Sequence, residues 1–162
     1  MKVKILGLLI LILLLGCSDN LDEQTRVSIQ EDESYVAYVK EEGIHLLAPT
    51  VWLEHDHQET SEPFLVTFEL SDELQSVLNE DYKVTFDSQD IFKGNPDFKN
   101  QDTFFVGNNL TLKKSVSQEA LRKMVSNGDI KVLVTELNGD VITSIRLQKL
   151  LIGQPDGSVV KP

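Results

Sequence analysis

The side chains in this sequence best suited to chemistry are few: the lone thiol of Cys17 and the imidazoles of His45, His55 and His57. A thiolate can attack an electrophile, ligate a metal or accept a covalent group, but one cysteine cannot close an intramolecular disulfide. His55 and His57 lie in Glu54-His-Asp-His-Gln-Glu59, where an extended chain points both to one side, and His45 is a candidate third member from elsewhere in the fold. Zinc takes three or four ligands held tetrahedrally at about 2 Å, which two histidines on a loop do not supply unaided. The segment is therefore expected to be a polar loop, with no metal bound. Carboxylates are abundant but scattered through loop-like stretches, and a catalytic pair needs burial to separate its two pKa values. No glycine-rich phosphate loop, nucleophile elbow, HExxH helix or CxxC pair occurs. The expectation is a protein without catalytic residues or cofactor.

The position of Cys17 gives its thiol another use. Lys2 and Lys4 form a short basic head, and Ile5 to Leu15 is apolar at every position except Gly7. A bilayer-spanning helix needs about 20 apolar residues, so this run is the length of a signal-peptide core and too short for a lasting span. Its end, Leu14-Leu15-Gly16-Cys17, resembles the lipobox of bacterial lipoproteins, in which a small residue precedes a cysteine. The resemblance implies signal cleavage between Gly16 and Cys17, a diacylglycerol on the Cys17 thiol and, usually, acylation of the new amino group. It also implies export to the outer face of the cell membrane, and Ser18 in place of an aspartate would favour the outer membrane in a cell that has one. Each buried CH₂ contributes about 0.8 kcal/mol and two or more chains hold a protein lastingly, so the expected partner is the membrane itself, through lipid on Cys17.

Composition narrows the remaining classes. The chain of 162 residues carries 26 acidic against 15 basic residues, a formal charge of −11, and loss of Lys2 and Lys4 with the signal makes the mature chain still more acidic. Nucleic acid binds through clustered Lys and Arg, so it is excluded as a partner, and anionic lipid head groups are repelled. Residues 1–16 read as signal and 17–34 as a lipidated cysteine with an acidic tether. A single β-rich domain follows over 35–150 and a C-terminal tail over 151–162.

Within the domain, Tyr35–Val39 and Ile44–Ala48 flank a turn at Glu41-Glu42-Gly43, and Val51-Trp52-Leu53 continues the apolar run, with Trp52 expected in the core or at its rim. Phe64, Val66, Phe68 and Leu70 alternate as in a core strand, followed by a helix capped by Ser71 and a strand through Tyr82, Val84 and Phe86. Residues 87–103 form a long polar stretch with Ile91, Phe92 and Phe98 as its large apolar residues, either pinned to the core or serving as a binding loop. Gly107-Asn108-Asn109 suits a tight hairpin, Ser117 a second helix cap, and Asn138-Gly139 a two-residue type I′ turn. That turn sets Ile130 opposite Leu147, Val132 opposite Ile145 and Val134 opposite Thr143.

About seven strands with one or two short helices resemble an immunoglobulin-like antiparallel β-sandwich. The alternative is an α+β domain with two short helices on one face of an antiparallel sheet. The functional expectation is a non-catalytic binding or protein-interaction module of the cell envelope. Its alternatives are a cation-binding or sensing lipoprotein using His55 and His57, and an envelope hydrolase.

Overall fold

Alternating apolar residues bury one face of a strand, and in the computed structural model Phe64, Val66 and Phe68 are 0–2 % exposed. The structure describes residues 27–41, 43–55, 62–80, 82, 84–113, 116–153 and 159–160. Among these, the strands are β1 (Val27–Glu41), β2 (Ile44–His55), β3 (Phe64–Leu70), β4 (Val84–Asp87), β5 (Thr103–Gly107), β6 (Leu110–Thr111), β7 (Ile130–Glu136), β8 (Val141–Leu147), β9 (Leu150–Gly153) and β10 (Val159–Val160). Between them lie helices α1 (Asp72–Ser76), α2 (Ser88–Gly94) and α3 (Gln118–Ser126), and a 3₁₀ turn, Pro96–Asn100. The larger sheet runs β10-β9-β1-β2-β5, with β6 also on β2, and the smaller runs β4-β3-β7-β8. The molecule is a two-sheet β-sandwich with short helices.

The helix starts are set by their caps. Ser71 Oγ accepts from the Leu74 N–H at 3.2 Å and Ser117 Oγ from the Ala120 N–H at 3.1 Å, each satisfying a donor that the first helical turn leaves unpaired. Leu121, Met124 and Val125 of α3 turn into the core, and Gly128, at φ 75°, ends the helix.

The β7–β8 register is the expected one from Ile130↔Leu147 to Val134↔Thr143. The turn is not. Gly139 has positive φ (96°) and Asn138 does not, while the Gly139 N–H donates to the Glu136 carbonyl at 3.0 Å. Asn138 Oδ1 instead accepts from the Asp140 N–H at 2.8 Å, an Asx turn compatible with a right-handed backbone. The result is a three-residue loop closed by a glycine bulge, which shifts pairing to Thr135↔Val141.

Three further expectations are corrected. Gly107-Asn108-Asn109 does not fold β6 back on β5: both strands pair with β2 in one continuous register, Thr50↔Gly107 and Leu47↔Leu110. The ladder is interrupted opposite Pro49, which has no N–H to donate, although its carbonyl accepts from the Asn108 N–H at 3.2 Å. The expected tail supplies β9 and β10, and β9 runs parallel to β1 through Val36↔Leu150. Finally, the described fold already includes Val27–Ser34 ahead of Tyr35, as the first part of β1. Val27 is 5 % exposed and pairs with His55, and Ile29 packs against the core opposite Leu53.

The acidic run Glu31-Asp32-Glu33 concealed that strand because it is a bulge. Pairing passes from Gln30↔Trp52 to Tyr35↔Thr50, so five steps of β1 match two of β2. Ser34 closes it from inside at 3 % exposure: its Oγ donates to the Gln30 carbonyl at 2.7 Å and accepts from the Trp52 N–H at 3.0 Å. Ser34→Ala leaves that N–H unsatisfied and is expected to cost about 1–3 kcal/mol in urea unfolding. An unchanged midpoint would show that the bulge holds without the hydroxyl.

Candidate functional site

The side chains considered for chemistry are positioned chiefly by β2. On that strand odd positions face the core, so His45, Leu47, Val51, Leu53 and His55 share one side. His55 is 5 % exposed and walled by aromatic rings, with centroids 5.6 Å from Phe92 and 5.4 Å from Phe104. Its Nε2 lies 3.3 Å from the Phe98 carbonyl, and its backbone N–H donates to the Asp102 carbonyl at 3.0 Å. Phe104 sits at the middle of this cluster, 1 % exposed, within 5.3 Å of Phe92, 5.8 Å of Phe98 and 6.5 Å of Phe64.

The 87–103 stretch is thereby explained. Asp87 caps α2 through the Gln89 N–H at 2.8 Å, and buried Ser88 accepts from the Phe64 N–H at 3.0 Å. Ile91, Phe92 and Phe98 pack against the core. The segment is a folded connection over the edge of β5, pinned by the same three residues that the sequence offers for that purpose.

His45 is far from this cluster. Ten strand positions at about 3.3 Å put it roughly 33 Å from His55, so the two cannot share one ion. Its Nδ1 is 3.0 Å from the Tyr38 hydroxyl, and burial pushes the Tyr38 phenol above its ordinary pKa. His57 lies outside the described residues, as do Gly16 and Cys17. Among the described residues no group of three or more His, Cys, Asp or Glu side chains is placed to hold a metal ion.

Two surface features escape the sequence reading. The first is an aromatic shelf on the outer face of the larger sheet: Phe105 is 48 % exposed, Trp52 is half-buried, and their ring centroids are 5.4 Å apart. Phe98 reaches round the strand edge to within 5.8 Å of Phe105. The signal was present in Phe104-Phe105, since adjacent residues on a strand must point to opposite faces. The second feature is an open cleft of about 280 Å³ between the β1 bulge and the β8–β9 corner, lined by Glu31, Asp32, Ser34, Arg146 and Lys149 among others. Its cations are engaged with backbone carbonyls: Arg146 donates to Gly128 at 2.8 Å and Lys149 to Asp32 at 2.9 Å.

No protein family, curated protein or solved structure matches this chain.

Two outcomes follow from this geometry. A phenol with raised folded-state pKa favours folding below its unfolded pKa of about 10, and that contribution is lost as pH rises through the folded value. Urea midpoints measured from pH 8 to 11 are expected to fall more steeply for the native chain than for Tyr38→Phe, and equal slopes would remove Tyr38 as the cause. Zinc or calcium is expected to leave the melting temperature unmoved, whereas an ion present at a hundred times its Kd would add about 2.7 kcal/mol. A melting shift that His55→Ala or His57→Ala abolishes would restore the metal reading.

Proposed function

We propose that this chain is a bacterial lipoprotein held on the outer face of the cell membrane by Cys17, with the sandwich serving as a non-catalytic binding module of the envelope. The observation that carries the reading is Leu14-Leu15-Gly16-Cys17 behind a basic head and a short apolar run, in a chain whose one cysteine is at that position. The position of β1, which includes Val27, fits the same arrangement, because nine residues, 18–26, separate Cys17 from Val27. Among the described residues no helix is long and apolar enough to cross a membrane.

The non-catalytic part rests on what the candidate residues do. His55 is packed among phenylalanines and His45 bonds to Tyr38, so both imidazoles have structural work. A binding role is supported by the aromatic shelf, where Phe105, 48 % exposed, and half-buried Trp52 offer apolar surface that a partner could cover.

Mass spectrometry of the native protein is expected to find a mature chain beginning at a diacylated Cys17, and Cys17→Ala to accumulate as unprocessed precursor. A native chain retaining Met1, or carrying a free Cys17 thiol, would overturn the reading.

A further inference from the structure

We infer that the outer face of the larger sheet, at the end where β1 begins, rests directly on the membrane, with Trp52 and Phe105 seated at the boundary between head groups and acyl chains. The inference builds on the anchoring of Cys17 proposed above and adds a second, non-covalent contact made by the folded domain.

The two outer faces of the sandwich differ in chemistry. On the smaller sheet the outward positions mix Leu65 and Leu133 with polar side chains that bond to one another, Thr67 with Thr85 at 3.0 Å and Lys131 with Glu69 at 3.9 Å. On the larger sheet the outward positions of β1 and β2 carry Tyr35, Ala37, Val39, Leu46 and Ala48 and, beyond Thr50, Trp52, which pairs with Phe105 of β5 and is bordered by Gln30 and Glu54. The aromatic pair is a patch with a polar rim at one end of this face.

That end is where the anchor chain enters. Val27 pairs with His55, and three residues along β2 Trp52 stands between Gln30 and Phe105 in the sheet. The shelf is thus about 10 Å along the strand from the first described residue. The ten residue-to-residue steps from Cys17 to Val27 can span at most about 35 Å, and a chain of that length has a root-mean-square span of about 17 Å. A lipid on Cys17 therefore keeps this end of the domain nearest the bilayer surface. Aromatic rings with one polar edge favour that boundary, where apolar faces sink about 5–10 Å.

Charge decides which lipid. Glu54, held by Gln30 at 3.0 Å, flanks the shelf, and exposed Glu31, Asp32 and Glu33 stand at the bulge next to it. These repel anionic head groups, so the surface that fits is a zwitterionic one, bound through apolar contact.

Trp52 is the only tryptophan, which makes it the reporter. Native acylated protein is reconstituted into phosphatidylcholine vesicles whose acyl chains are brominated near the head group, beside identical vesicles without bromine. The expected result is blue-shifted Trp52 emission that is lost to bromine quenching, with less quenching in Phe105→Ser. Mass spectrometry of the same sample separates the two claims. If Cys17 is acylated and Trp52 is not quenched, the anchor stands and the face inference falls. Trp52 unquenched by bromine yet shielded from aqueous iodide would assign the face to a second copy or a protein partner, and would overturn the lipid contact as well. A Cys17 without lipid sinks both readings.

Discussion

The ring of Phe104 joins parts of the sandwich that backbone pairing leaves apart. It projects from β5, an edge of the larger sheet, and meets Phe64 of the smaller sheet, Phe92 of α2, Phe98 of the 3₁₀ turn and His55 of β2. The opposite side of the sandwich needs no such device. There the chain passes from β8 into β9, changing sheets, and the Val36 N–H bonds to the Lys149 carbonyl at 2.8 Å. One side is closed by continuous chain and the other by aromatic packing. Truncating a buried phenylalanine costs about 3–5 kcal/mol, a large share of the 5–15 kcal/mol that a domain has. His55 belongs to this closure: an imidazole among rings fills space as an aromatic and still offers a nitrogen to the Phe98 carbonyl.

Irregular places in the sheets are handled by supplying hydrogen bonds locally, as a buried backbone demands. Ser34 serves the bulge of β1, Ser88 serves the start of β3, and the Asn108 N–H uses the carbonyl of Pro49 where the proline can offer no donor. Serine recurs because its hydroxyl both donates and accepts in little space. The cleft beside the bulge results from the same arrangement, since turning Ser34 inward pushes Glu31, Asp32 and Glu33 out.

Local signals in the sequence were sound where one segment decided its own structure. The alternation of Phe64–Leu70, the caps at Ser71 and Ser117, and the inner-face register of β7 with β8 follow from neighbouring residues and are present as expected. Signals failed where a distant partner decided. Gly107-Asn108-Asn109 has turn-forming residues, but the edge of β2 offered a longer ladder and kept the chain straight. Val27 and Ile29 alternate as a strand should, yet the acidic bulge after them broke the period and made the segment look like tether. Leu150–Gly153 joins β1 across more than a hundred residues, a pairing that no local pattern encodes. The shelf lay hidden for a related reason: Phe105 is conspicuous only once the neighbouring Phe104 is known to point inward.

The difference between the two sheets is nevertheless written in their strands. In β3 and β7 the inward positions are uniformly apolar while the outward ones mix Leu65 and Leu133 with Thr67, Glu69, Lys131 and Thr135. In the larger sheet β1 and β2 carry the runs Tyr35-Val-Ala-Tyr-Val39 and Val51-Trp-Leu53, and the edge strand β5 carries Phe104-Phe-Val106, so apolar residues stand on both of their sides. Nothing in the inner packing requires Trp52 or Phe105 to be aromatic, since both point away from the core that Leu53 and Phe104 fill. Leaving such rings in water forgoes about 25 cal/mol for each Å² that a partner could cover. A strongly acidic chain has ample polar residues for a solvated face, and the smaller sheet uses them. The aromatic pair on this face is therefore the place where a partner would gain most by covering it, and it lies at the end where β1 begins, the end that the proposed lipid on Cys17 would hold nearest a bilayer.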